Sequence, residues 1–438
     1  MWASILDSLS AFLHFGKKSL NRTDESTCPS NFDGNNMGVR LKLAQTANEL
    51  DDVFWVRHQV FVVEESKYNI PGHTSHYLVD RFDAHPKCAN LIAYEENEPI
   101  ATIRLNLDTG SGLPPEEHFD FSSEKNRIDV EWLLETGEKA YIGSAGMLAV
   151  RKNWRRRRDV IRALFKLAAT IGSSWSGTHI IVSANHENAP MYERVGFSTL
   201  SDKIWIEDIG NHIVPMVATF ADVFAQTIGQ SLKNVQLFES FSSHFQRAVF
   251  RTGERIFSEF DEADECYVID AGNVRITTTN AKDGRELAFA ILGPGEIFGE
   301  MALIDAKTRS ASATAAADTE VLVIHRQDFM DGLRKHPDRF DEVLGFVSDR
   351  LRRTGEFARL LAYGSSEQRL EYALKNVLES AKATRKLDGT CVLRAGPEDL
   401  AAAACTKTNE AVDFLEALST KGYCTYSAKS IEIKARNK

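Results

Sequence analysis

A chain of 438 residues is long enough for several domains at roughly 100–200 residues each. With 43% hydrophobic and 26% charged residues, it is neither largely disordered, nor collagen-like, nor a disulfide scaffold. A net charge of -10, from 52 basic and 62 acidic residues, excludes a bulk nucleic-acid coat and leaves only a local basic patch for such contact.

No run of about 18 apolar residues occurs, so no membrane-spanning helix is expected. The six cysteines, Cys28, Cys88, Cys266, Cys391, Cys405 and Cys424, form no C-x-x-C pair. They read as free thiols in a reducing cytoplasm. The histidines show no ligand spacing with them, so no metal site is expected.

Residues 1–20 place Trp2, Ile5, Leu6, Leu9, Phe12 and Leu13 at helical spacing. The start lacks a positive segment, and Asp7 and His14 interrupt the apolar run, so it is not read as a signal peptide. This amphipathic helix either docks on its own protein or rests on a membrane surface. A polar linker, Asn21 to Asn36, follows. Residues 91–107 read as a strand pair, 141–150 as a strand, Asp159 to Ile171 as a helix and 179–185 as a buried strand. Together they predict an α/β core. Val214, Val217, Phe220 and Phe224 predict a connecting helix over 212–231.

From Val235 to Ile324 short β segments are punctuated by glycines, the pattern of an antiparallel barrel or jelly roll. Arg326 to Ala383 reads as helical, with a break at Gly364-Ser365-Ser366. Pro397 to Lys438 reads as helix–turn–helix and two strands, suggesting a winged helix. The expected architecture is multidomain, α/β plus β plus α. Its parts are 1–37 (helix and linker), 38–210 (α/β domain), 211–234 (connecting helix), 235–333 (barrel), 334–364 (long helix) and 365–438 (winged helix).

The stretch Phe298 to Ala313, FGEMALIDAKTRSASA, carries the sharpest chemistry. A glycine lets backbone amides approach a ligand, a carboxylate can accept from a ribose hydroxyl, and an arginine fork suits a phosphate. A short helix, Met301 to Ile304, would present its N–H groups to the anion. This closely resembles the phosphate-binding cassette of the cyclic-nucleotide-binding domains. The likeness extends upstream through 250–256, 267–276 and 292–300. It implies Glu300 on the ribose, Arg309 on the cyclic phosphate, and Gly299, Met301, Ala302, Ser310 and Ala311 around them. The following segment resembles the long dimer helix of the Crp/Fnr regulators, which places Thr354 at the adenine. Cyclic AMP is therefore the preferred ligand, with cyclic GMP the alternative that Ser310 also fits. Phe340, Val343, Val347 and Leu351 form a partial heptad, which suits a homodimer.

In the front half, Met147 to Asp159 joins a strand to a helix across Arg155, Arg156, Arg157 and Arg158. Helix N-terminal amides with added positive charge suit a pyrophosphate. With Asn185 to Phe197, this resembles the GNAT acyltransferase fold. The resemblance implies an acyl donor, acyl-CoA or acyl carrier protein, held at Leu148, Val150, Arg155 and Arg158, with Tyr192 as the acid for the leaving thiolate. Arg57, Asp80, Asp83 and Arg104 match landmarks of the acyl-homoserine-lactone synthases and N-acyl amino acid synthases. They are the remaining candidate catalytic residues. The donor turn lacks the family's glycines, and the lactone synthases' Glu-x-x-Arg falls on Ser144 and Met147, which argues against lactone synthesis.

Residues 399–415 align with the Crp-type helix–turn–helix, but Thr408, Asn409 and Asp413 stand where an Arg-Glu pair and a further arginine are usual. DNA is thus a doubtful partner. The expected function is acyl transfer from acyl carrier protein or acyl-CoA to an amine, such as an amino acid, under cyclic-nucleotide control. Two alternatives stand: a transcription regulator with an acyl-ligand sensor, and a protein lysine acetyltransferase. The expected location is the cytoplasm, with residues 1–20 as the candidate for peripheral contact with the inner membrane.

Overall fold

The computed structural model describes residues 38–433 apart from 69–74, 208, 229–245, 280–285, 302–306, 336, 338–339, 381–389, 394 and 429. The expected N-terminal helix and its linker lie outside the described residues.

The front half begins with β1 (Val39–Leu43) and α1 (Ala47–Arg57). Thr46 caps α1: its hydroxyl accepts from the Glu49 N–H, and the Glu49 carboxylate accepts from the Thr46 N–H. The helix widens into a π-helical turn over His58–Glu64. Then come β2 (Cys88–Glu95), β3 (Glu98–Leu107), α2 (Ser122–Thr136) and β4 (Ile142–Val150). Next are α3 (Arg158–Ser174), β5 (His179–Asn185) and α4 (Ala189–Glu193). The unit closes with β6 (Ser198–Thr199), β7 (Ile204–Ile206), β8 (Asn211–Thr219) and α5 (Phe220–Ile228). Helix α3 crosses between β4 and β5, which pair in parallel. Its face Val160, Ala163, Leu164, Leu167 and Ile171 is buried in the main core.

One expectation is corrected here. The connecting helix over 212–231 is instead a strand, Asn211–Thr219, followed by a short helix, Phe220–Ile228. The strand is flanked by β5 on one side and by β6 and β7 on the other. Ile213, Val214, Met216 and Ala218 are all buried, so its apolar run does not alternate and imitates a helix face.

The second half contains β9 (Gln246–Phe250), β10 (Arg255–Phe257), β11 (Glu265–Ala271) and β12 (Val274–Thr279). It continues with β13 (Glu286–Leu292), β14 (Ile297–Phe298), β15 (Ser312–Ala315) and β16 (Thr319–His325). These form two antiparallel layers, β14-β11-β16-β9 and β10-β15-β12-β13, in the expected jelly-roll manner. The layers enclose Phe250, Tyr267, Phe298 and Val321. Helices α6 (Arg326–Lys335), α7 (Phe340–Tyr363) and α8 (Ser366–Ser380) follow, with the break where the glycine–serine step stands. The C-terminal unit has β17 (Cys391–Leu393), α9 (Pro397–Ala403), α10 (Thr408–Thr420), β18 (Cys424–Ser427) and β19 (Ser430–Ile433). Its strands pair in the order β17-β19-β18, one strand more than the sequence suggested.

The two halves share one sheet. β1 pairs antiparallel with β9, Val39 opposite Val249, Arg40 opposite Ala248 and Leu41 opposite Arg247. The result is a twelve-stranded sheet from β14 to β6.

Candidate functional site

Two groups of expected residues converge, one in each half. In the barrel, Gly299 has φ +73, and a Cβ there would lie 2.6 Å from Nη1 of Arg309. Glycine is therefore required twice over, by backbone conformation and by space. Arg309 is buried and lies over the Phe257 ring, 4.2 Å from its centroid, and over Tyr267 at 5.5 Å. Phe257, Tyr267 and Phe298 stack on one another, so the guanidinium rests on a stiff aromatic platform. Its Nη1 donates to the Glu265 carbonyl at 2.7 Å and to the Gly299 carbonyl at 3.2 Å. Its Nε is buried with no acceptor among the described residues. A buried donor left unpaired costs about 1–3 kcal/mol, and an anion's oxygens would relieve that cost.

The loop before β11 clasps the arginine's backbone. The Arg309 N–H donates to the Asp261 carbonyl at 2.8 Å, and the Phe260 N–H donates to the Arg309 carbonyl at 2.9 Å. Glu300 is half-buried beside Met301, which is exposed. The exposed Ser310 places its hydroxyl 3.6 Å from the Met301 sulfur, and Ala311 packs against the barrel core. Ala302 and the rest of the short helix to Ile304 lie outside the described residues. Thr354 is exposed on α7. Of the heptad positions, Leu351 is exposed and Phe340 packs on the α6 cluster. The aromatic platform and the Glu265 carbonyl were not foreseen. They belong to strands whose apolar pattern carries no mark of a ligand.

In the front half, Arg57, Asp80, Asp83 and Arg104 meet in one cluster, a pairing the sequence did not announce. Arg57 Nη1 donates to both Asp83 oxygens, at 2.9 and 3.0 Å, and its Nη2 donates to Asn90 Oδ1. Arg104 Nη1 reaches Asp80 at 2.5 Å and Asp83 at 3.2 Å. Asp80 also starts the turn Arg81–Ala84, accepting from the Phe82 N–H at 2.8 Å. Both arginines are fully buried, and their Nε atoms have no acceptor among the described residues. Burial pushes the Arg57 guanidinium down against the pull of Asp83. Burial would also raise the Asp83 carboxyl, but Arg57 and Arg104 hold it below the usual range. Asp80 alone opens to solvent, its side chain 32% exposed. Two cations and two anions balance, so the cluster is a neutral brace with one accessible carboxylate.

The segments expected to hold the acyl donor lie where two strands part. β4 pairs with β5 only from Ile142 to Ser144, and beyond that the strands part. Met147 takes φ +52 at the divergence, and Gly146, Met147 and Leu148 are half-buried while Val150 is buried. The expected run of arginines is divided. Arg155 pairs with Glu64 at 2.8 Å and with Glu65 at 3.0 Å, and Arg157 is buried against Asp159 and Glu95. Arg156 and Arg158 are exposed, with no ion pair among the described residues. Tyr192 is buried edge-on between Phe165 and Phe197. No hydrogen bond among the described residues engages its hydroxyl or joins it to the Arg57 cluster. Burial pushes its pKa up to about 12.

In the C-terminal unit Thr408, Asn409 and Asp413 are exposed on α10. The unit leans on the barrel, with Arg275 bonded to Asp399 and Ile291 of β13 inside its core.

Comparison with known proteins matches these groups. Residues 247–336 fit the cyclic nucleotide-binding domain family, and residues 52–219 fit the N-acyl amino acid synthase FeeM family. The cyclic AMP receptor protein of Thermus thermophilus is 32% identical over 192 residues, 44% of this chain and 85% of that protein. The chain belongs to the Crp/Fnr-like cyclic-nucleotide-binding proteins and carries an N-acyl amino acid synthase domain in front. That front domain makes it an N-acyltransferase. A CRP-like cAMP-activated global transcriptional regulator of Mycobacterium tuberculosis is 30% identical over 115 residues, 26% of this chain. The chain spans about half, 51%, of that regulator. The solved structure of FeeM, an N-acyl amino acid synthase from uncultured soil microbes, is 14% identical with TM-score 0.33, over 44% of this chain and 96% of that one. No helix among the described residues is long and apolar enough to cross a membrane.

Proposed function

We propose that the chain joins an acyl group to an amine, most simply that of an amino acid, and that a cyclic purine nucleotide, cyclic AMP by preference, controls the reaction. The observation that carries this reading is Arg309: a buried guanidinium whose Nε has no acceptor among the described residues, set beside Gly299 and bonded to Glu265 of β11, a strand of the sheet shared with the synthase domain. In this reading the front domain is GNAT-like, extends past the expected 38–210 to take in β8, and takes its donor from acyl-CoA or acyl carrier protein. The donor's arm lies along the parted edge of β4 at Leu148 and Val150. Arg155 and Arg158 flank its phosphate, Arg155 through its half-exposed face. The free amine attacks the thioester carbonyl, the C–N bond forms and the C–S bond breaks. Tyr192 donates its hydroxyl proton to the departing sulfur. Asp80, the open carboxylate, receives the proton from the ammonium directly or through water. Arg57, Asp83 and Arg104 hold Asp80 in place.

The ribose hydroxyl pairs with Glu300, the cyclic phosphate with Arg309, and Gly299, Met301, Ala302, Ser310 and Ala311 close the pocket. Thr354 meets the base from α7, across a homodimer. The C-terminal unit is a winged helix whose reading face, with Asp413 exposed, suits a structural role better than DNA. The protein works in the cytoplasm, and residues 1–20 supply any contact with a membrane surface.

The test is mass spectrometry of amides and lipids from cells over-producing the chain, with and without cyclic AMP, beside turnover of acyl-CoA and acyl carrier protein. New N-acyl products that rise or fall with the nucleotide, and lose that dependence in Arg309→Ala, support the reading. A rate indifferent to the nucleotide overturns the control.

A further inference from the structure

The proposed control requires a path from the phosphate arginine to the acyl-transfer domain. The long helix α7 is one candidate, but among the described residues the front half touches the barrel elsewhere. Two clusters of charge lie at the seam where β1 meets β9. In the first, Lys166 of α3 donates to Asp270 and to Glu320, each at 2.8 Å, and Arg247 reaches the same two carboxylates at 2.7 and 3.1 Å. All four side chains are nearly sealed from water, with two cations facing two carboxylates, so this cluster is a clamp.

The second cluster shares a residue with the nucleotide site. Glu265 opens β11, and its backbone carbonyl accepts from Arg309 Nη1. Its carboxylate holds Arg40 of β1 in a two-pronged pair, 2.9 Å to Nη1 and 2.6 Å to Nη2. The Tyr267 hydroxyl also bonds that carboxylate, and the Tyr267 ring lies under Arg309. Arg40 lies opposite Tyr94 of β2 on one side and Ala248 of β9 on the other. At the end of β1 the Ala44 N–H donates to the Asn90 carbonyl at 2.8 Å, and Asn90 Oδ1 accepts from Arg57. An unbroken chain of polar contacts and paired strands thus runs from the phosphate arginine to the charged brace of the synthase domain.

We propose that nucleotide occupancy reaches the acyl-transfer site through Arg309, Glu265 and Arg40, across the β1–β9 seam. The proposal rests on the cyclic-nucleotide reading above. An anion competes with the Glu265 carbonyl for Arg309, and the charge-assisted bonds to the anion win. The start of β11 is released and carries the Glu265 carboxylate with it. The planar fork of Arg40 is bound on both prongs, so β1 follows. The clamp at Lys166 stays closed and makes the movement a local shift of the seam. Both ends of the path bias one element, β1, which is the requirement for coupling between distant sites.

The experiment uses the full chain, with calorimetry for cyclic AMP and cyclic GMP binding and hydrogen-exchange mass spectrometry of the peptide over 39–43. In the unsubstituted protein, nucleotide binding changes exchange in that peptide. In Arg40→Met the nucleotide still binds and the change at 39–43 is lost. Arg40→Lys keeps the charge without the fork, folds more readily, and shows a reduced change. Binding without any change at 39–43 in the unsubstituted chain overturns the proposal. So does a full-sized change in either Arg40 variant. A folded sample that gives no heat with either nucleotide removes the underlying reading and the path with it, and that outcome is distinct because calorimetry alone reports it.

Discussion

Lys166 and Glu320 meet at 2.8 Å across the boundary between the two halves, both nearly sealed from water. Replacing Lys166 with Met leaves Asp270 and Glu320 with Arg247 as their one cation among the described residues. An uncompensated buried charge typically costs about 3–5 kcal/mol. Lys166→Met should lower the denaturation free energy by about that amount in a denaturant titration. A loss under about 1 kcal/mol would show that water enters the clamp.

The nucleotide pocket gives two graded expectations. Arg309→Ala removes the guanidinium that faces the expected phosphate and should cost about 2–5 kcal/mol of nucleotide binding. Gly299→Ala is milder. It forces a side chain to φ +73 and crowds Nη1 of Arg309, so affinity should fall while Arg309 remains. Titration calorimetry of both variants checks the ranking, and equal affinities for Gly299→Ala and the unsubstituted chain would contradict the crowding.

Asp83 and Asp80 should behave oppositely. Asp83 is buried and serves both arginines, so Asp83→Asn should destabilise the front domain by about 3–5 kcal/mol. Asp80 is open to solvent, so Asp80→Asn should cost less stability and more turnover. Thermal melts beside acyl-transfer rates separate the two, and an equal stability loss in both variants counts against an open role for Asp80.

Much of this was legible in the sequence, and the reasons differ by region. Gly299 and Arg309 announce themselves because close approach and phosphate chemistry demand particular residue types at fixed spacing. Arg57, Asp80, Asp83 and Arg104 were nameable, but not their mutual pairing, since nothing local says that two aspartates face two arginines. The arginine run at 155–158 was read as one patch, whereas Glu64, Glu65, Glu95 and Asp159 neutralise half of it from distant segments. β8 was missed because a strand covered on both faces loses its alternation. The β1–β9 pairing leaves no trace at all, since strand partners far apart in the chain share only apolar character.

Acid should loosen the seam. Burial alone would raise the Glu265 carboxyl, but Arg40, His325 and Tyr267 hold it at about 2. Asp264 also lies nearby, facing His325. Because the folded value is below the ordinary 4.5, the stabilisation is complete above that pH and is lost as the pH falls towards 2. The amount at stake is about 3 kcal/mol. Arg40→Met should flatten this window in a series of melts, and an unaltered pH profile would show that the pair contributes nothing.

Tyr192 offers a kinetic check. With its pKa pushed up to about 12, the phenol stays protonated through the working range. Tyr192→Phe should cut acyl transfer by about 10²–10⁴-fold with little change in Tm. The unsubstituted enzyme should show no alkaline loss from this group below about pH 10. Undiminished turnover in the variant would reduce Tyr192 to a packing residue.

The shared sheet also governs how the molecule can be dissected. Severing the chain between Thr219 and Gln246 would leave β1 on one fragment and β9 on the other, each with a bare row of amides and carbonyls. Such rows recruit any strand at hand, so separately produced halves would tend to precipitate or swap partners. Two fragments co-expressed could instead zip together again and be purified as a split pair.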